Sequence, residues 1–152
     1  MSKLQARNEI VIGAPIERVW ALITDINMLH KINPGVTKAT GRMDQLGESR
    51  TCEIVNGRRS GTMTERLIDF VPKKKTVWTI ESDTMGMGRM MRDTKFCFSL
   101  EEIGRGQTRV VNETYYRPAN IGAVILNLVM LKRMVSRAQE QILNNIRSLT
   151  EK

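Results

Sequence analysis

The chain has 152 residues, a formal net charge of +8, 41% hydrophobic and 26% charged residues. Such a chain can bury nearly 70% of its unfolded surface. It therefore needs no disulfide or metal staple, and neither a disordered nor a collagen-like chain has this composition. Ten methionines stand against seven aromatic residues, three Phe, two Tyr and two Trp, so the apolar interior is expected to be lined more by flexible side chains than by rings.

In chain order, Asn8–Ile12 reads as a first strand, ended by Gly13-Ala14-Pro15. Pro15 suits the first turn of a helix. Ile16, Val19, Trp20, Ile23 and Ile26 then recur at helical spacing, which predicts a helix over 15–26. A second short helix over 27–32 stops near Asn33-Pro34-Gly35. Turn residues at Gly47, Asn56-Gly57, Pro72-Lys73, Gly86/Gly88 and Gly104/Gly106 divide the next stretch into six strands: 36–43, 48–55, 59–71, 76–84, 90–102 and 107–117. Connections this short make antiparallel hairpins. Alternation is clearest where Thr94, Phe96, Phe98 and Leu100 oppose Lys95, Cys97, Ser99 and Glu101. One face of the sheet is thus apolar and needs a cover.

Residues 119–149 supply that cover as one long helix, with Ile121, Ile125, Leu128, Val135, Ala138, Ile142, Ile146 and Leu149 on a stripe. Its first half is apolar nearly all round, through Val124, Leu126, Val129, Met130 and Met134. A helix of that kind is enclosed, or it faces something apolar besides the sheet.

Three segments carry a family resemblance: E-I-V-I-G-A-P-I-E-R-V-W-A-L-I-T-D (Glu9–Asp25), N-P-G-V (Asn33–Val36) and T-E-R-L-I-D-F-V-P-K-K-K-T-V-W (Thr64–Trp78). Together with the element order they resemble the START-related superfamily, also called SRPBCC, and within it the polyketide cyclase/dehydrase-like proteins. The resemblance implies an α+β helix-grip fold over residues 1–152: a curved seven-stranded antiparallel sheet around a long C-terminal helix, with two short helices between strands 1 and 2. It also implies an interior cavity for a hydrophobic molecule such as a lipid or polyketide. Catalytic residues differ among subfamilies, so none transfers.

A pocket needs an apolar lining with a few placed polar groups. Strand parity offers Trp78, Ile80, Phe96, Phe98, Asn112, Thr114 and Tyr116, and the helix offers Ile125 and Leu128. On 59–71 one parity brings Arg66 inward and the other brings Glu65. An inward Arg66 would bind a carboxylate or enolate oxygen. Outward, it would pair with Glu53, Glu81 or Asp83. Met85, Met87, Met90 and Met91 cluster around Gly86 and Gly88 and read as a flexible hairpin at the cavity mouth.

Other chemistry finds little support. A lone His30, and Cys52 and Cys97 in no C-x-x-C pair, point to no metal or cofactor site and to free thiols in a reducing cytoplasm. No segment reads as a signal peptide or membrane span. Asp93, Glu113 and Tyr116 are the acid–base candidates, with no parity argument placing them in the cavity. The basic residues are dispersed and lack aromatic neighbours, which argues against specific nucleic-acid binding. Transient contact with a membrane surface is compatible with the charge. The leading reading is a ligand-binding or transport module, acting as monomer or homodimer. The alternatives are a cyclase/aromatase or dehydratase using Arg66, Asn112 or Tyr116, and a partner-binding regulatory domain with a vestigial cavity. A filled interior beside an exposed apolar patch on the final helix would favour the last.

Overall fold

The structure is a computed structural model, and it describes residues 2–151. Seven strands form one antiparallel sheet in the order β1-β7-β6-β5-β4-β3-β2. They are β1 (Lys3–Ile12), β2 (Val36–Gly41), β3 (Ser49–Asn56), β4 (Arg59–Val71), β5 (Lys75–Asp83), β6 (Met91–Gly104) and β7 (Gln107–Pro118). Hairpins join β2 through β7 in sequence. β1, separated from β2 by helices, closes the far edge by pairing with β7, Ile10 opposite Val110.

Between β1 and β2 lie α1 (Ile16–Ile23), a 3-10 turn (Ile26–Met28) and α2 (Leu29–Ile32). Pro15 takes the N-cap position, with extended backbone, and α1 buries Val19 and Ile23. The β5–β6 connection contains a single helical turn, α3 (Met87–Met90). The final segment comprises α4 (Ile121–Leu126), a π turn (Asn127–Leu131) and α5 (Lys132–Thr150). The expected helix-grip architecture is therefore present, with two short helices where 15–32 predicted them.

The core has two centres. Ile12, Val19, Leu100, Val110, Leu143 and Ile146 join α1, α5, β1, β6 and β7. Leu29, Val36, Met43, Cys52, Leu67 and Trp78 form the second under α2 and β2–β5. Polar contacts also pin α5. Gln139 Nε2 donates to the Ala6 carbonyl at 3.2 Å and to Thr114 Oγ1 at 2.8 Å. Asn8 Nδ2 donates to Gln139 Oε1 at 2.9 Å. Asn145 Nδ2 reaches the Ile32 carbonyl at 2.9 Å.

The buried line of the last helix departs from the hydrophobic stripe. Ala123, Asn127, Leu131, Gln139, Leu143, Ile146 and Thr150 are buried, whereas Ile121, Ile125 and Leu128 are exposed. Asn127 and Gln139 hold the inward line because polar groups of β1 and β7 need partners; Thr150 bonds back to the Ile146 carbonyl of its own helix. Tyr116 Oη donates to Asn127 Oδ1, and Asn127 Nδ2 donates to Gln5 Oε1 at 3.1 Å. Hydrophobic periodicity cannot select an Asn or a Gln for that line.

Candidate ligand site on the concave face

The face of the sheet turned toward α5 can be traced through the register. Cα partners run Leu67–Trp78, Trp78–Phe96 and Phe96–Thr114, and Thr114 meets Gln139 of α5. One step along, Phe98 pairs with Asn112. Trp78, Asn112, Thr114 and Tyr116 are buried. Ile80, Phe96 and Phe98 stay half-buried, although they lie in mid-sheet. Thr76 is buried on the same face, opposite Phe98.

Glu65 occupies this face and Arg66 does not. Glu65 is buried, and its Oε1 accepts from Arg50 Nε at 2.9 Å. The Arg50 guanidinium also lies over the Trp78 ring, 4.0 Å from its centroid, with Met43 Sδ 3.7 Å from Nη1. Cation, carboxylate and indole thus form one desolvated cluster among Leu67, Cys52 and Met43. A buried pair of this kind is held by contacts on all sides, since either charge alone there is strongly disfavoured. The close packing of β2 on β3 helps fix Arg50. Gly41 pairs with Arg50, has φ +118°, and would bring a Cβ to 2.4 Å from the Ser49 carbonyl oxygen.

Arg66 points to the opposite side of β4. It is exposed, ion-paired to Glu81, and donates to the Gly47 carbonyl at 2.8 Å. This corrects its expected place in the cavity; the outward alternative, with Glu81 as partner, describes it. The physical reason is packing: Glu65 has a cation ready on the neighbouring strand, while Arg66 finds a carboxylate on the solvent side. Ile125 and Leu128 are likewise displaced from the expected lining, at 59% and 68% exposure.

The methionine hairpin is organised around Asp83. Met85, Met87 and Met90 are half-buried and Met91 is buried. The Asp83 carboxylate accepts from the Met85 and Met87 N–H groups at 2.9 Å and from Gly88 N–H at 3.2 Å. Burial works against the charged form of Asp83, yet these backbone donors hold its pKa below the usual carboxylate value. Met85 lies across Gly61, where a Cβ would come within 2.6 Å of Met85 Cγ. Two open clefts flank the hairpin. One, of about 340 Å³, is lined by Arg59, Asp83, Met85 and Arg89 among others. The other, of about 440 Å³, opens where β5 and β6 separate past Thr79–Lys95 and touches Ile80, Met91, Arg92, Thr94 and Arg117. Neither lies under α5.

The remaining acid–base candidates have partners of their own. Asp93 pairs with Arg117 on the surface, and Glu113 accepts from Tyr115. Burial raises the Tyr116 pKa and pushes the Cys52 thiol up to about 11, so neither ionises readily. Among the described residues no group of His, Cys, Asp and Glu could hold a metal ion.

Residues 3–151 match the family model for polyketide cyclase / dehydrase and lipid transport. The chain belongs to this family. No curated protein sequence matches it. Among solved structures, the Zhui aromatase/cyclase from a Streptomyces species superposes with TM-score 0.80 at 16% identity, covering 99% of this chain and 94% of that one. Ginseng major latex-like protein 151 from Panax ginseng gives TM-score 0.75 at 8% identity, over 98% and 97% of the two chains. Ara h 8.0201 gives 0.72 at 11%, over 99% and 98%. At these identities the likeness is one of fold. For this member of the polyketide cyclase/dehydrase and lipid transport family, sequence reasoning missed Arg50. An arginine in a strand ordinarily reads as a solvent-side residue, and only the inward Glu65 signalled a cation opposite.

Proposed function

We propose that the protein binds a small hydrophobic molecule, lipid or polyketide-like, against the concave face, and that Arg50, Glu65 and Trp78 anchor its polar end. The observation that carries this reading is the buried Arg50–Glu65 pair stacked on Trp78 among Leu67, Cys52 and Met43. Half-buried Ile80, Phe96 and Phe98 would meet the apolar body of the ligand, as pockets of this type require. Asn112, Thr114 and Tyr116 belong to the same face, and the methionines around Asp83 stand beside the β5–β6 opening.

A binding role fits better than catalysis. Arg50 would share its charge between Glu65 and a ligand oxygen, an arrangement that can hold a polar end but leaves no cation dedicated to an enolate. Arg66, the other cation considered for that task, is on the solvent side. The cyclase reading rests on family membership together with buried Asn112 and Tyr116.

Native mass spectrometry of gently purified protein should find an apolar ligand. Replacing Arg50 and Glu65 together by Met should keep the fold and weaken binding of a fatty-acid probe about tenfold or more. Absence of any bound molecule, with no saturable binding of apolar probes, would rule the reading out.

A further inference from the structure

The first half of the last helix is apolar and uncovered. Ile121 is 81% exposed, Leu128 and Val129 68% each, and Val124, Ile125, Met130 and Met134 are exposed as well. They occupy one continuous stretch, at 1.5 Å per residue about 20 Å long. Patches of this kind on a soluble surface mark contact sites. Elsewhere on the chain, large exposed apolar residues such as Ile68 and Val71 are scattered.

The charge around the stretch identifies its partner. Residues 118–139 contain no Asp or Glu but do contain Lys132, Arg133 and Arg137. Among the described residues these three make no ion pair, and Arg133 and Arg137 are exposed. Ala119 N–H donates to the Met90 carbonyl at 3.0 Å, which brings the hairpin carrying Arg89 and Arg92 beside the helix start. A second copy of the chain would set these cations against one another. An apolar stripe edged by unpaired cations matches an anionic bilayer, where the side chains enter the acyl boundary and the cations meet headgroups.

We infer that residues 121–137 form a docking surface for anionic membranes. The helix lies in the interface; no helix among the described residues is long and apolar enough to cross one. This surface is separate from the Arg50–Glu65–Trp78 cluster and does not depend on ligand binding there.

The test is flotation of the full chain with two kinds of vesicle: phosphatidylcholine alone, and phosphatidylcholine with an equimolar share of phosphatidylglycerol. Binding is expected to the anionic vesicles and to fall as salt rises. A Leu128→Gln/Val129→Gln variant should bind about tenfold or more weakly. Arg133→Gln/Arg137→Gln should bind weakly and lose most of its salt dependence. Ile68→Gln, an exposed position on the opposite side of the molecule's sheet, should bind like the parent. All four proteins should melt alike. Equal binding to both vesicles, no binding, or variants at 128/129 and 133/137 that bind like the parent would overturn the inference. So would a dimer that dissociates on Leu128→Gln, because a second copy would then be the occupant.

Discussion

The two halves of the C-terminal helix obey different rules. From Lys132 to Thr150 the helix is amphipathic and seats Gln139, Leu143, Ile146 and Thr150 against β1, β7 and α1. From Ile121 to Leu131 it is apolar except for Asn127, yet only Ala123, Asn127 and Leu131 are buried. Hydrophobicity and burial therefore part company along one continuous element. The lesson is that an apolar helix face reports what it can bury against, and the partner need not belong to the same chain.

Core truncation should separate the halves most sharply. Ile146→Ala removes a fully buried side chain and should cost about 2–5 kcal/mol by urea unfolding. Leu128→Ala should stay within about 0.5 kcal/mol. Similar losses at both sites would mean that the first half is packed in solution.

The two sides of β4 make a second contrast. Glu65→Ala strips a buried cation of its partner and should cost about 3 kcal/mol, most of it recovered when Arg50→Met and Glu65→Leu are combined. Glu81→Ala, which breaks the exposed pair with Arg66, should cost no more than about 1 kcal/mol. A Glu65 variant as mild as the Glu81 variant would show that the cluster is hydrated.

A smaller loss, about 1–3 kcal/mol, is expected for Gln139→Ala, which removes the partner of the buried Thr114 hydroxyl. Unfolding titrations against Tyr116→Phe would show whether the Asn127 contact belongs to the same network.

The gentlest effect is one of pH. Burial raises the Cys52 thiol from 9.0 to about 11, so the folded state holds this proton more tightly than the unfolded chain does. The contribution is complete below about pH 9 and declines as pH rises toward 11. Folded protein at pH 8 should resist alkylation at Cys52. Rapid labelling without unfolding would contradict the burial.

Most of the fold was legible because alternation and turn residues mark each strand directly. The six predicted strands of 36–117 correspond to β2–β7, and Pro15 announced α1. The site was less legible. Charges stand on both parities of β4, and the register shifts between Thr64 and Glu65 and again between Leu67 and Asp69. Counting by twos through such bulges cannot say which charge faces inward. Asn127 and Gln139 were hidden for another reason: their burial is decided by acceptors and donors on β7 and on β1, the latter more than a hundred residues away. The apolar excess of 121–134 was visible at once, but only the fold shows that no described residue covers it.

The π turn at Asn127–Leu131 has a mechanical meaning. It holds one residue more than an α turn needs, so it sets the rotational phase between α4 and α5. Deleting a single residue there would leave both flanking helices intact and turn α4 by about 100°. The direction in which Ile121, Ile125 and Leu128 look is thus adjustable by chain length at one point, independently of which side chains the helix carries.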